Sequence, residues 1–260
     1  MKITSDQRRQ YNRFTSDGTR KALTVVNPDK DGLQRFFARG DEWQDYVVAG
    51  IERFTAKMPN YNLAKIILGK DFISPEAITK TRGLSYTKEQ LVAFGDTLPA
   101  QEMLEWCRDN GMMLVAGPPK SMSLLDVRSV KVDYFYSEQI GWYTESIEKF
   151  ARTNKVETVW IAFRKEPVAN SFYKNWLEQS KLVEAPMVVP NAAETVWGLT
   201  VYKAVWGKPP VPNLYMRTSC RDSSGQCVAV GYFGNEGIYV GSGGNSECRF
   251  DLGVASARKF

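Results

Sequence analysis

Hydrophobic positions change their spacing partway along the chain. Before residue 112, apolar residues recur every three or four positions in short segments, and several segments begin at capping signals such as Ser74 and Thr87. A segment over 41–57 has the same spacing. This pattern predicts a string of short helices in the first part of the chain.

From Met112 onward, strand patterns alternate with helical ones. The segment 112–119 predicts a strand that ends at Pro118 and Pro119. The segment 156–168 is apolar on both faces, which makes it the strongest candidate for a central, covered strand. Capping signals predict a helix over 191–207, and a further strand is predicted over 213–219. Helices first, followed by a mixture of helices and strands, predict an α+β fold.

A β-hairpin is predicted close to the C-terminus. Residues 227–233 alternate in polarity, 234–237 supply a turn, and 238–240 form the return strand. Strict alternation places Tyr232 on the same face as Val230. If Val230 is buried, we therefore expect an exposed Tyr232 only where a bulge or a strong twist intervenes.

The composition around this hairpin is unusual. In the segment 219–249, sixteen of the 31 residues are Gly, Ser, Tyr or Asn, and none is Lys. Tyr supplies rigid amphipathic contact area at a low cost in entropy, and Ser, Gly and Asn supply adaptable hydrogen bonds. This composition is typical of a binding surface, with an ordinary Gly-rich hairpin at a sheet edge as the alternative.

The composition of the whole chain restricts its chemistry. The 260 residues include no histidine, which excludes Ser-His-Asp and Cys-His catalysis and His-ligated metals. None of the four cysteines forms a CxxC pair, which argues against a structural zinc site, and neither a metal nor a cofactor is expected. Because no export signal is evident, free thiols are expected, with a Cys220–Cys227 or a Cys227–Cys248 bridge as the alternative. An enzyme would rely on carboxylates, Lys, Tyr or Cys. Glu166 and Glu178 are carboxylates of the middle region, where surface or salt-bridge roles are expected.

The positive charge of the chain belongs to its first part. Residues 1–70 contain 13 Lys and Arg against 8 Asp and Glu, whereas residues 71–260 contain 21 of each. A basic segment can bind nucleic acid or an anionic membrane surface. Acidic residues are interleaved throughout residues 1–70, which favours a solvated helical face instead.

Neither a membrane segment nor an export signal is evident. The chain has no run of about 18 apolar residues, and its N-terminus lacks the apolar core of a signal peptide. Membrane insertion is therefore not expected, and the cytoplasm is the default location.

Five stretches of the chain resemble a known family. Three of them, VPNLYMRTS (211–219), VGYFGNEGIYV (230–240) and RFDLGVASARKF (249–260), resemble the C-terminal part of variable proteins that diversity-generating retroelements diversify. Two upstream stretches, EMLEWCRDNGMMLVAGPPKSMSLLDVRS (102–129) and WIAFRKEPVANSFYKNW (160–176), are similar to the constant part of one branch of this group.

The resemblance implies both a fold and a mechanism of variation. In this family, a reverse transcriptase miscopies the adenines of a template repeat, and the copy replaces codons near the end of the target gene. The implied fold is a C-type lectin-like domain, of the variant shared with formylglycine-generating enzymes. We therefore expect a helical N-terminal region at 1–111 and a lectin-like domain at 112–260, with a variable surface at about 220–250.

The resemblance also assigns individual positions. The varied, ligand-binding positions that it implies are Tyr232, Gly234, Asn235, Tyr239, Gly241, Ser242, Asn245, Ser246, Cys248 and Phe250, with Gln226 and Ala229 as further candidates. The fixed frame that it implies consists of Val230, Gly231, Phe233, Gly237, Val240, Arg249, Leu252 and Gly253. The family has a bulky aromatic residue, usually Trp, near position 243, where this chain departs from the pattern with Gly243 and Gly244.

The expected function is ligand binding without catalysis. A small exposed surface suits a flat partner, so a protein or another macromolecule is the expected ligand. One alternative is a carboxylate-dependent or sugar-active enzyme on a formylglycine-generating-enzyme-like fold, which requires a deep apolar pocket with convergent carboxylates. The other is nucleic-acid binding through residues 1–70, which would weaken steeply with salt.

Overall fold

The chain consists of two compact units, Met1–Lys57 and Met58–Phe260. A computed structural model describes residues 4–41, 43–44, 47, 61–136, 142–210 and 213–260. In the first unit it describes helices α1 (Ser5–Val26) and α2 (Lys30–Phe37), neither of which contains a buried residue. The helix predicted over 41–57 lies mostly outside the described residues.

Short capped helices begin the second unit, as the sequence predicts. Ser74 caps a helix with Pro75 at its first position, and Thr87 forms a capping box with Gln90. Among the helices that the structure describes, none is both long and apolar enough to cross a membrane. The helices of this unit are α3 (Asn62–Leu68), α4 (Pro75–Arg82), α5 (Lys88–Asp96), α6 (Gln101–Asp109), α7 (Leu124–Val130), α8 (Phe150–Thr153), α9 (Trp176–Ser180) and α10 (Ala192–Trp206).

The compact unit that contains the predicted lectin-like region begins at Met58 and not at residue 112. Strand β1 (Phe72–Ile73) pairs in parallel with β2 (Met112–Ala116). Leu104 and other buried residues of the early helices belong to the same hydrophobic core as the strands. The change of pattern at Met112 therefore marks a change from helix to strand within one unit.

The predicted central strand is confirmed as β5 (Trp160–Arg164). It lies between β2 and β10 (Ala257–Lys259) and is antiparallel to both, so the sheet has the order β1-β2-β5-β10. Val156, the first residue of the predicted segment, belongs instead to a separate strand, β4 (Lys155–Val156), which pairs with β3 (Met122–Ser123).

The predicted helix over 191–207 is confirmed as α10. Asn191 forms a capping box with Glu194, and Gly207 ends the helix in the left-handed conformation. Every residue from 192 to 202 is buried, so this part of the helix is covered on all sides. The helix packs against both β6 (Tyr215–Arg221) and β7 (Cys227–Gly234) and so supports the sheet that contains the hairpin.

The sheet that contains the hairpin has the order β8-β7-β6-β9. Strand β7, a two-residue turn and β8 (Gly237–Ser242) form the predicted hairpin, which is confirmed. Strand β6 is antiparallel to β7, and β9 (Leu252–Val254) is parallel to β6. The mixture of helices with sheets that contain both parallel and antiparallel pairs agrees with the α+β class.

Candidate ligand-binding surface

Tyr232 lies at a bulge of the hairpin. Between the paired residues Gly231–Tyr239 and Gly234–Gly237, β7 has one residue more than β8. The extra residue breaks the strict alternation of the strand. The side chain of Tyr232 is 50% exposed as a result, and its backbone adopts a φ of 45°.

A close approach between two strands accompanies this bulge. Gly231 has a φ of 153°, and a Cβ atom at this position would lie 2.1 Å from the carbonyl oxygen of Leu214. The same oxygen accepts a hydrogen bond of 2.8 Å from the backbone N–H of Tyr232. A non-glycine residue at positive φ costs about 1–3 kcal/mol, and such strain is concentrated at functional sites.

The rest of the hairpin separates inward from outward side chains. Val230, Phe233 and Val240 are buried, as expected for the frame. Asn235 is exposed at the turn, and Tyr239, which the resemblance assigns to the varied surface, is half-buried. Tyr239 is half-buried because its ring packs against neighbouring tyrosines.

Four tyrosine rings line a cleft of about 510 Å³ at the end of this sheet. The rings of Tyr215 and Tyr232 are stacked, with centroids 5.4 Å apart and an interplanar angle of 8°. Those of Tyr136 and Tyr239 are stacked at 6.2 Å and 27°. Tyr215 and Tyr239 meet edge to face at 5.4 Å and 83°, so the two stacked pairs form walls at nearly right angles.

Polar residues complete the lining of this tyrosine cleft. They include Asn213, Asn235 and Glu236. Four of the predicted varied residues meet in the cleft, namely Tyr232, Gly234, Asn235 and Tyr239.

Sequence reasoning missed four residues of the cleft, Tyr136, Asn213, Tyr215 and Glu236, the last of which it placed only in the hairpin turn. Tyr215 pairs with Gly231 across the sheet, so a pairing of the hairpin with the preceding strand could have identified it. Tyr136 had no local signal, because its place in the cleft depends on the fold of the whole unit.

Arg249 stands beside the cleft. Its guanidinium lies 5.2 Å from the centroid of the Tyr215 ring and donates two hydrogen bonds to Asp251, at 2.9 and 2.7 Å. These bonds hold the pKa of Asp251 below its usual range. Burial raises the pKa of Tyr215 above its usual value, so its ring remains un-ionised at neutral pH.

The other predicted varied residues lie outside the described lining of the cleft. Ser242, Ser246 and Cys248 are exposed, and Phe250 is 69% exposed. Gly241 is buried, in contrast to the expected surface position. The predicted set therefore divides into a cleft group and a loop group, the latter at the end of β8 and in the loop that follows.

Asn245 makes internal hydrogen bonds, although the resemblance implies a ligand contact. Its Oδ1 accepts from the backbone N–H of Cys227 at 3.1 Å and from Nη1 of Arg221 at 2.5 Å. Its Nδ2 donates to the carbonyl of Gly225 at 3.1 Å. Its backbone N–H donates to Oε1 of Gln226 at 2.7 Å. These four bonds fasten the loop to the end of β6, to the turn that follows it and to the start of β7.

The two further candidates, Gln226 and Ala229, also support the fold and are not exposed. Ala229 is buried in β7, and Gln226 is half-buried and holds the backbone of Asn245. Neither side chain is therefore exposed for a ligand in the way that the resemblance implies.

Arg217, which the sequence did not single out, is a buried cation beneath the loop group. Its guanidinium donates five hydrogen bonds, to the carbonyls of Gly243 (2.6 Å), Gly244 (2.5 Å), Glu247 (2.8 Å) and Lys174 (3.2 Å) and to Oε1 of Gln179 (2.9 Å). Burial lowers the pKa of Arg217. Buried charges are tolerated where hydrogen bonds compensate them, and here most acceptors belong to the loop.

This arrangement gives a structural reason for the glycine at position 243, near which the family that the chain resembles has a bulky aromatic residue. Gly243 is buried, and a Cβ atom there would lie 2.9 Å from Cβ of Ala229. The carbonyls of Gly243 and Gly244 both accept hydrogen bonds from Arg217. The two glycines therefore hold the loop in place and offer no side chain to a ligand.

The cysteines and the two carboxylates that the sequence analysis considered have the following environments. All four cysteines are free, as predicted, and burial raises the pKa of the Cys227 thiol to about 11. Within the described ranges, no three Cys, Asp or Glu side chains are grouped to hold a metal ion. Glu166 is exposed, and Glu178 caps helix α9 by accepting from the backbone N–H of Asn175 at 2.9 Å.

No model of a protein family matches the chain, and comparisons with curated proteins and with solved structures give no significant match either.

Proposed function

We propose that the chain is a ligand-binding protein whose C-terminal surface is diversified, like that of the retroelement variable proteins that it resembles. The proposed fold of its second unit is C-type lectin-like, of the formylglycine-generating-enzyme type. The binding surface consists of the tyrosine cleft and the exposed residues of the loop group. Its partner is a protein or another macromolecule.

The observation that carries this proposal is the space around the glycines. At Gly231 and Gly237, assigned to the fixed frame, an added Cβ atom would lie 2.1 and 2.6 Å from backbone atoms. At Gly253, also in the frame, it would lie 2.4 Å from Cβ of Pro167. At Gly234, assigned as varied, no atom lies within 4 Å of the added Cβ. The position that the resemblance assigns as varied is thus one that admits a side chain.

Gly241, the second glycine assigned as varied, can be replaced by a larger residue only if another varied residue moves. A Cβ atom on Gly241 would lie 2.2 Å from Cε1 of Tyr239, and the three nearest atoms all belong to this ring. A larger residue at position 241 therefore displaces the Tyr239 side chain from the cleft. Variation at these two positions would reshape the cleft jointly.

Burial of the frame supports the same division. Val230, Phe233 and Val240 are each at most 1% exposed, whereas Tyr232 and Asn235 are exposed. Substitutions at exposed sites usually change stability by less than about 0.5 kcal/mol. Many surfaces can therefore be presented on one pre-organised scaffold, which keeps the ordering entropy of binding low.

The lining of the cleft favours recognition over carboxylate-dependent catalysis. Among the described residues that line it, Glu236 alone is a carboxylate, and it is exposed in the hairpin turn. Acid–base mechanisms of the glycosidase type use two carboxylates on either side of the bond that is cleaved.

A pair of display libraries tests the proposal. The first library varies Tyr232, Gly234, Asn235 and Tyr239, and the matched library varies Val230, Phe233, Ile238 and Val240. We expect most members of the first library to fold and some to bind unrelated purified proteins, while the second loses folded protein. Equal loss of folded members in both libraries, or no binder from the first, would contradict the proposal.

A further inference from the structure

The charge of the tyrosine cleft is opposite in sign to that of the whole chain. The chain has a net charge of +5, yet none of the described residues that line the cleft is Lys or Arg. Glu236 places a negative charge at the cleft. The neighbouring Arg249 is already paired with Asp251 at 2.7 Å and lies 3.9 Å from Glu247. Of these four charged groups, three are carboxylates, so together they carry a net negative charge.

The faces of the four rings add to this negative potential. An aromatic ring has a negative face, which attracts a cation placed within about 6 Å of its centroid. Tyr215 and Tyr239 stand at 83° to each other, so a group in the corner between the stacked pairs meets aromatic surface from two directions. Arg249, at 5.2 Å from the centroid of Tyr215, is a cation that one of these rings attracts within the chain itself.

We propose that the tyrosine cleft is an aromatic cage for a cationic group, an alkylammonium or guanidinium carried by a basic segment of the partner. The inference rests on the proposed binding function and names the chemistry of the ligand. The rings of Tyr232 and Tyr239 contact the cation, and Glu236 supplies the opposite charge. Asn213 and Asn235 lie in the same lining and can hydrogen-bond to the backbone on either side of the bound group.

The charge of the ligand distinguishes this cage from other uses of the same rings. Stacking on a sugar or on an apolar side chain would use the tyrosine faces without any need for Glu236. Choline and its neutral carbon analogue, 3,3-dimethyl-1-butanol, have the same shape and differ in charge. A comparison of the two therefore measures the contribution of the charge alone.

The test is an NMR titration of the full-length chain labelled with ¹³C in its tyrosine rings. We expect choline to shift the ring signals of Tyr232 and Tyr239 and to bind about two- to thirtyfold more tightly than 3,3-dimethyl-1-butanol. Equal affinities for the two compounds would overturn the inference. Absence of any shift with choline would overturn it as well.

Three variants test whether the preference for choline arises in the tyrosine cleft. Glu236→Gln should weaken the binding of choline and leave that of the neutral analogue unchanged. Tyr232→Leu, which keeps apolar area but removes the ring, should weaken choline binding further. Ser85→Ala is the matched control, because Ser85 is exposed, outside the described lining of the cleft and not assigned to the binding surface. Equal effects of all three variants would overturn the assignment to the cleft.

The outcomes separate this inference from the proposed function. If the first display library yields binders that depend on Tyr232, but choline and its analogue bind equally, the cation preference is wrong and the binding function stands. If choline binds selectively and the library yields no binder, the cage stands and macromolecular recognition fails.

Discussion

Arg217 donates from Nε to the carbonyl oxygen of Gly243 at 2.6 Å, a bond that joins strand β6 to the loop after β8. The same guanidinium also binds the carbonyls of Gly244 and Glu247. The loop group is thus held from inside by a buried cation, while its exposed side chains remain available to a partner. This separation of support from contact allows a surface to vary without loss of the fold.

Replacing this cation should destabilise the second unit. We expect Arg217→Met to lower the free energy of unfolding by about 2–4 kcal/mol, because several loop carbonyls lose their buried donor. The matched control is Arg108→Met, at an exposed arginine paired with Asp109, which should have a much smaller effect because solvent screens this pair. Urea denaturation measures both values, and similar losses for the two variants would refute the role of Arg217.

Substitutions at the adjacent residues Tyr232 and Phe233 should have very different effects on the stability of the fold. We expect Tyr232→Asn to change stability by less than about 1 kcal/mol, because Asn tolerates the left-handed conformation and little beyond one stacked pair is lost. Phe233→Asn should cost about 3–5 kcal/mol, because it removes a buried ring and buries an amide. Thermal and urea denaturation measure the difference. Equal costs would mean that the division into frame and surface is wrong at this point.

Asn245 should behave as part of the frame. Asn245→Ala removes the acceptor of the Cys227 and Arg221 donors, and we expect a loss of about 1–3 kcal/mol. Ser246→Ala, at the exposed neighbouring residue, should stay within about 0.5 kcal/mol of the parent chain. If urea denaturation finds Asn245→Ala equally harmless, Asn245 belongs to the varied set after all.

The pair Arg249–Asp251 predicts a pH dependence. The pKa of Asp251 is lower in the folded chain than in the unfolded one, so its contribution to stability is present above the unfolded pKa and is lost as pH falls through the folded pKa. Asp251→Asn should therefore cost about 0.5–1 kcal/mol at neutral pH, a modest value because solvent screens the partly exposed Arg249.

Stability measurements at several pH values test this contribution of Asp251. The difference between the parent chain and Asp251→Asn should close as the solution is acidified below the folded pKa. A difference that stays constant across the range would show that the ion pair is not its source.

Much of the fold was predictable because its signals are local. Three helix starts could be predicted because a side chain caps the first turn of its own helix, at Ser74, Thr87 and Asn191. The hairpin was likewise predictable from its alternation and from its glycine-flanked turn. In each case the residues that specify the structure are close to it in the sequence.

The remaining features depend on contacts between distant segments. The bulge that exposes Tyr232 depends on the approach of Gly231 to Leu214, which no pattern within the hairpin reveals. In the sequence, nothing distinguishes Arg217 from other polar residues of a predicted strand. Its hydrogen-bond partners lie in the loops near residues 174 and 243–247. Within the unit that begins at Met58, β1 pairs in parallel with β2, so Phe72 lies opposite the distant Leu114.

Sequencing the gene from many related isolates tests the central claim most directly. We expect substitutions to cluster at the codons for Tyr232, Gly234, Asn235, Tyr239 and the exposed loop residues, while the codons for Val230, Gly231 and Phe233 stay fixed. Substitutions spread evenly along the chain, or equally frequent at the frame codons, would contradict diversification of this surface.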